Sequence, residues 1–134
     1  DYASSIRGAF AVGRKMTVDE LDPVDLIVCG SVACTVSGAR LGKGGGFSDL
    51  EYALAVQLGK VGVETPIVTT IHPIQLLDSE IPLMAHDIPV DYIATPEEII
   101  ECPRSLPRPT GIYWDLLSDE KIAEVPVLQR VKEY

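Results

Sequence analysis

Short apolar runs, separated by polar turns, divide this chain into alternating strand and helix segments. The first run, over residues 25–34, is apolar enough for a strand that is buried on both faces. Residues 66–71 are rich in β-branched side chains, and residues 90–94 form a third short run. The pattern therefore predicts three strands.

Helical spacing appears between and after these strands. Apolar residues recur every three or four positions over residues 49–58 and predict an amphipathic helix. Ser48, followed three residues later by Glu51, has the form of a capping box and places the helix start there. Residues 95–98 repeat this form, with Thr95 as the N-cap, and predict a second helix after the third strand.

The two ends of the chain add shorter elements. Thr17 with Glu20 predicts a helical turn, and residues from 118 onward read as a helix that is interrupted or restarted at Pro126. Strands alternating with helices imply parallel pairing with helical crossovers. We therefore predict one α/β domain over residues 1–134, with a mainly parallel sheet flanked by helices.

A glycine-rich segment between the first strand and the first helix carries the clearest chemical signal. Gly42, Gly44, Gly45 and Gly46 expose backbone N–H groups, and Arg40 and Lys43 add positive charge. A helix start carries further unpaired N–H groups and about half a positive charge. Together these features predict a phosphate-binding loop.

A glycine-rich loop has an alternative interpretation, and this one does not match the best-known nucleotide-binding patterns. A flexible strand-to-helix turn uses glycine in the same way. The Walker pattern is absent, and Phe47 stands where the dinucleotide fingerprint needs its third glycine. Any nucleotide bound here would therefore use a different phosphate-binding loop, with Phe47 either against a flat heterocycle or in the core.

Two aspartates near the loop are candidate ligands of Mg²⁺, which prefers one or two carboxylates together with phosphate oxygens. Asp49 lies just inside the helix start, where it can alternatively stabilise the helix dipole. Asp87 precedes the third strand and can alternatively form a turn before Pro89. His72 is expected to have a structural, hydrogen-bonded role, and His86 is either a base or an ordinary loop histidine. Trp114 either lines a cleft or packs against the C-terminal helix, and we expect packing.

Composition excludes several classes of function. The net charge of −9 argues against general binding to nucleic acid or to anionic membranes. No apolar run approaches the roughly 20 residues that span a bilayer, which predicts a soluble protein. Three cysteines without metal-site spacing predict buried thiols at Cys29 and Cys34 and a reducing, cytoplasmic compartment.

The segment from Arg40 to Asp49 resembles the Arg-Leu-Gly-Arg/Lys-Gly-Gly-Gly-Tyr-Tyr-Asp signature of the 5-formyltetrahydrofolate cyclo-ligase family. The pair His86-Asp87 before residues 90–95 is similar to a later segment of that family. Residues 46–53 and 108–114 are most similar to its methenyltetrahydrofolate synthetase domain-containing subgroup. The resemblance covers roughly residues 25–114.

The resemblance implies an α/β fold of the type shared by ribose-5-phosphate isomerase and coenzyme A transferases. It implies a small-molecule substrate, a reduced folate, since active members use ATP and Mg²⁺ to close 5-formyltetrahydrofolate to 5,10-methenyltetrahydrofolate. Residues 1–24 have no clear counterpart of the segment that grips ATP in these members, so we expect an N-terminal part of the family fold to be lacking. A non-catalytic nucleotide- or ligand-binding domain of the same fold is the alternative.

Transferred to this chain, the resemblance implies three sets of site residues. Arg40 and Lys43 would be the catalytic cations, and Asp49 and Asp87 would hold Mg²⁺. The nucleotide-binding set would be Arg40, Gly42, Lys43, Gly44, Gly45, Gly46, Phe47 and Ser48.

Overall fold

A computed structural model describes residues 2–133, which form a main sheet, a short β-ribbon and helices at both ends. The strands are β1 (Ile27–Gly30), β2 (Ala33–Cys34), β3 (Arg40–Leu41), β4 (Ile67–Thr70), β5 (Tyr92–Ala94) and β6 (Ile99–Glu101). The α-helices are α1 (Ile6–Val12), α2 (Phe47–Gln57), α3 (Asp119–Glu124) and α4 (Pro126–Lys132). Turns of 3-10 helix cover Val18–Glu20, Pro73–Gln75 and Trp114–Leu116.

The main sheet has the strand order β1-β4-β5-β6. Strands β1, β4 and β5 are parallel, and β6 is antiparallel to β5. This confirms the predicted mainly parallel α/β architecture. Gly30, Thr70 and Ala94 are in register, so the carboxyl ends of the three parallel strands meet at one edge, where open α/β sheets bind ligands.

The first predicted strand, residues 25–34, is wrong in its extent. Strand β1 ends at Gly30, and β2 pairs instead with β3 as an antiparallel ribbon. The side-chain amide of Gln75 donates to the carbonyls of Ser31 and Val32, which therefore do not continue the ladder with β4. A contact between residues more than 40 positions apart thus ends the strand.

The helix predicted from Thr95 is also wrong. The Thr95 hydroxyl accepts hydrogen bonds from the amides of Glu97 and Glu98, and the Thr95 amide donates to the Glu98 carbonyl. This closes a tight turn that returns the chain as β6. Ile100 pairs with the fully buried Ile93, so packing of β-branched side chains prevails over the capping pattern.

Two buried clusters meet at α2. The first lies under the sheet and contains Ile67 and Ile93, and also the predicted buried thiols Cys29 and Cys34. The second joins α2 to the C-terminal helices through Leu50, Ala53, Ile112, Ile122 and Leu128. Because both faces of α2 are packed, its N-terminal end is held firmly at the sheet edge.

The predicted terminal elements are confirmed. Thr17 and Glu20 form a capping box on the 3-10 turn, Ser118 caps α3, and Pro126 is the first residue of α4. Helix α1, which the sequence pattern did not indicate, precedes the turn. Within residues 2–133, no helix combines the length and apolar character needed to cross a bilayer.

A buried carboxylate ties the C-terminal loop to the sheet. Asp91 accepts a hydrogen bond from the Ile67 amide at 2.8 Å, and its other oxygen contacts the guanidinium groups of Arg104 and Arg108. Arg108 also donates to the Thr65 carbonyl at 3.0 Å. This network holds residues 104–108 against the sheet, just before the segment around Ile112 that packs on α2.

Candidate functional site at the glycine loop

The loop between β3 and α2 adopts a backbone that glycine favours. Gly44, Gly45 and Gly46 have φ values of +96°, +84° and +65° in succession. An L-residue with a side chain is strained in this region. Gly46 is the N-cap of α2 and supplies no side-chain cap, so the capping box predicted at Ser48 is wrong. Ser48 lies in the first turn because the left-handed glycine starts the helix two residues earlier.

The amide groups of this loop are unpaired. The first amide of the helix with an acceptor is that of Leu50, which donates to the Gly46 carbonyl at 3.0 Å. Within residues 2–133, no hydrogen bond has the amide of any residue from Lys43 to Asp49 as its donor. Seven consecutive N–H groups at a helix start therefore remain available to an acceptor from outside.

A cavity with a volume of about 620 Å³ opens beside this loop and is called the larger cavity, because it adjoins a smaller one. The carboxyl end of β1 and the segment 81–87 form its other walls. The predicted residues that line it are Arg40, Gly42, Lys43, Gly44, Gly46, Phe47, Ser48, Asp49 and Asp87. The sheet edge thus brings together nearly all of the predicted set, and Lys43 is exposed on its wall.

Arg40 and Asp49 are bonded to each other. Arg40 Nη2 lies 3.2 Å from Asp49 Oδ1, and Arg40 Nη1 donates to the Gly30 carbonyl at 2.8 Å. The Asp49 oxygen also accepts from the Ile88 amide at 3.0 Å. The side chains are 3% and 16% exposed, so this is a largely buried ion pair. It joins β1, the start of α2 and the segment before β5.

One donor of Arg40 remains unsatisfied. Its Nε atom is buried and has no hydrogen-bond partner among the described residues. A buried donor without an acceptor costs about 1–3 kcal/mol. Arg40 is also among the residues that line the larger cavity, so this unsatisfied donor lies close to the proposed site.

His86 and Asp87 lie across the cavity from the loop. Asp87 accepts from the Met84 amide at 2.7 Å, and its other oxygen is 3.6 Å from His86 Nε2. Within the described residues, no cluster of three or more His, Cys, Asp or Glu side chains could hold a metal by itself. The two aspartates in one cavity fit the sparser protein ligation of Mg²⁺, which takes its remaining ligands from phosphate and water.

The second cavity, of about 360 Å³, was not anticipated from the sequence. It shares Gly46, Asp49 and His86 with the larger cavity, and its remaining walls come from α2 and residues 112–121. Lys121 on α3 reaches back so that its ammonium lies 3.4 Å from the centre of the Phe47 ring. The sequence pattern gave no signal for this contact, because it depends on how the C-terminal helices pack.

The remaining candidates lie outside both cavities. His72 caps the 3-10 turn that follows β4 by accepting from the Ile74 amide at 3.3 Å. Trp114 packs against the second buried cluster, as expected, with Lys132 at 5.8 Å from its ring. The site residues that the family resemblance implies thus each line one of the two cavities, whereas His72 and Trp114 line neither.

The sequence of the chain identifies its family. The sequence model of the 5-formyltetrahydrofolate cyclo-ligase family matches residues 10–96. The chain belongs to the 5-formyltetrahydrofolate cyclo-ligase family. The match contains the glycine loop, Asp49 and Asp87, and it confirms the expected cyclo-ligase type of α/β fold.

Curated relatives in this family share the same subgroup name. The chain is 46% identical to the methenyltetrahydrofolate synthase domain-containing proteins of Mus musculus and Homo sapiens, over 82% and 81% of its length. It is 38% identical to the protein of the same name from Danio rerio over 86% of its length. The chain spans only about 30% of the length of these relatives.

Proposed function

We propose that the chain binds ATP by its phosphates at the glycine loop and takes part in the closure of 5-formyltetrahydrofolate to 5,10-methenyltetrahydrofolate. The observation that carries this proposal is the run of unpaired amides from Lys43 to Asp49 on the wall of the larger cavity. Membership in the cyclo-ligase family supports this choice of reaction class.

Each residue of the loop has a physical role in this proposal. The amides bind phosphate oxygens, and the Lys43 ammonium adds a flexible positive charge at the cavity wall. Arg40 is a positioning residue, because its hydrogen bonds to Gly30 and Asp49 hold the loop against the sheet edge.

Asp49 and Asp87 would hold Mg²⁺ beside the phosphates. The ion, when bound, neutralises charge on phosphate oxygens and so favours phosphoryl transfer. The outer oxygen of Asp49 has no hydrogen-bond donor among the described residues, so the carboxylate can serve the ion while it keeps its bonds to Arg40 and Ile88. The remaining ligands of such a site are phosphate oxygens and water.

The Arg40–Asp49 pair also favours a second candidate function, a non-catalytic nucleotide- or ligand-binding domain. The two charges neutralise each other at 3.2 Å, and the same Asp49 oxygen serves the Ile88 amide. In this alternative the pair is purely structural. The protein then binds an anion at the loop without a requirement for Mg²⁺ and forms no folate product.

Isothermal titration of ATP into the chain, with and without Mg²⁺, tests the binding site. We expect Lys43→Ala to weaken ATP binding at least about tenfold, because a hydrogen bond to a charged group contributes about 1.5–3 kcal/mol. Lys15→Ala is the matched control, since Lys15 is exposed and lies outside both cavities. Equal affinities of the two variants would refute the phosphate site.

A second measurement separates the two functions. The chain is incubated with 5-formyltetrahydrofolate, ATP and Mg²⁺, and the absorbance of methenyltetrahydrofolate is followed. Product that depends on ATP and is reduced by Lys43→Ala supports the cyclo-ligase reaction. ATP binding without product supports the non-catalytic alternative.

A further inference from the structure

The smaller cavity has walls of two different origins. Helix α2 and the glycine loop form one side and lie within the family match, which ends at residue 96. Residues 112–121 form the other side and lie beyond that match. We propose that this cavity is a binding site for a small organic anion with an apolar body, and that Lys121 recognises the charge of that anion.

The apolar part of the cavity suits the body of such a ligand. Leu50 and Ala53 on α2 face Ile112, Leu116 and Leu117 of the C-terminal segment. Its volume of about 360 Å³ lies within the range of small-molecule sites, which combine apolar walls with a few polar groups. A ligand here would bury apolar surface on both sides.

One end of the cavity, beside Phe47, carries polar groups, and His86, Tyr113 and Ser118 are the other polar residues of its wall. Gly45 and Gly46 contribute unpaired amides from the start of α2, and Lys121 contributes its ammonium. Asp49 also lines the cavity, but its charge is compensated by Arg40 at 3.2 Å. The net character of this end is therefore positive, which selects an anion.

Lys121 is held in a way that permits recognition. Its ammonium lies over the Phe47 ring at 3.4 Å and 3.1 Å from Glu124 Oε2, and the side chain is 21% exposed. Glu124 is largely exposed and does not line the cavity, so solvent screens its hold on the ammonium. The ammonium has three donors and keeps capacity for a ligand oxygen.

This site is separate from the proposed nucleotide site in its charged residues. Lys43 lines only the larger cavity, and Lys121 lines only the smaller one. The inference therefore does not rest on the proposed function, although the two cavities adjoin at Gly46. Substitution of each lysine tests each site independently.

The test uses two fluorescent probes with nearly the same aromatic body. 8-Anilinonaphthalene-1-sulfonate carries an anion, and N-phenyl-1-naphthylamine does not. All proteins carry Phe10→Ser, because the Phe10 side chain is 84% exposed and would offer the probes another apolar surface. We expect saturable binding of the sulfonate probe at one site per chain.

Three variants then locate the charge recognition. Lys121→Gln should weaken the sulfonate probe at least about tenfold and leave the neutral probe within about twofold, since a charge-assisted hydrogen bond is lost and the apolar walls remain. Glu124→Gln should strengthen the sulfonate probe, because it releases the ammonium. Lys15→Gln should change neither probe.

The opposite results overturn the inference. Equal binding of the sulfonate probe by Lys121→Gln and the parent protein removes Lys121 from the site, and weakening of both probes alike assigns it a structural role. If ATP displaced the sulfonate probe with an affinity that depends on Lys43, the probe would be bound at the nucleotide site, and the inference of a separate site would be wrong. Absence of ATP binding by the parent protein, together with binding of the sulfonate probe that depends on Lys121, would refute the proposed function and leave the inference supported.

Discussion

The ion pair between Arg40 and Asp49 makes a quantitative prediction about stability. Asp49→Asn keeps an oxygen for the Ile88 amide but removes the charge opposite a guanidinium that is only 3% exposed. Removing one partner of a buried ion pair costs about 3–5 kcal/mol, because the other charge remains buried. We expect about 3 kcal/mol, at the lower end, since Arg40 keeps its bond to the Gly30 carbonyl.

Urea denaturation measures this cost. Trp114 is the single tryptophan of the chain and packs against the second buried cluster, so its fluorescence reports unfolding. With a slope of about 2 kcal/mol per molar urea, a loss of about 3 kcal/mol lowers the midpoint by about 1.5 M. Asp25→Asn is the matched control, because Asp25 is exposed and should move the midpoint by less than about 0.25 M.

A midpoint for Asp49→Asn that stays within the range of the control would refute the reasoning, because it would mean that the pair is open in solution. The double variant Arg40→Gln with Asp49→Asn adds an independent check. If the two side chains interact as the structure shows, the double variant should be at least about 1 kcal/mol more stable than the sum of the single effects predicts. Simple additivity would contradict the ion pair.

Two further predictions concern the backbone of the loop and a buried thiol. Gly44→Ala should lower the free energy of unfolding by about 1–2 kcal/mol, because the added Cβ meets open space but the alanine must adopt a φ of +96°. Gly62→Ala is the control, since Gly62 has open space without the positive φ. An equal effect of both substitutions in urea denaturation would contradict this. Burial raises the pKa of Cys102 from its ordinary value of 9.0 to about 11. Because the thiol ionises at lower pH in the unfolded chain than in the folded one, the free energy of unfolding should fall as the pH rises from about 9 to 11. The fall should be shallower for Cys102→Ala. Identical profiles of unfolding free energy against pH would argue that Cys102 is not buried.

The sequence predicts the position of the glycine-rich turn before α2 well, because the signal for it is local. Glycines, flanking cations and an apolar helix lie next to each other in the chain, and their meaning depends little on distant residues. The predicted extent of a strand is wrong where a residue distant in sequence binds the backbone groups that the strand would use. Gln75 ends β1 by binding the carbonyls of Ser31 and Val32, and nothing near residue 31 announces this.

The two wrong capping boxes show a different limit. Ser48 and Thr95 each stand three residues before a glutamate, and the pattern is the same in both. At the first, left-handed Gly46 starts the helix earlier, and at the second, Ile100 draws the chain into the sheet. A local pattern therefore sets only a preference, which backbone freedom or core packing of a few kcal/mol outweighs.

Pairing between side chains makes the charge at the cavity surface differ from the charge that the residue types suggest. Counted along the sequence, Arg40, Lys43, Asp49 and Asp87 give a neutral set. In the fold, Arg40 and Asp49 compensate each other below the cavity surface, and Asp87 lies across from the loop beside His86. The loop itself is left with the Lys43 ammonium and seven unpaired amides, and no acid of its own remains uncompensated. An oxyanion is therefore the first ligand that this surface favours, and a cation gains a binding partner only once that anion is in place.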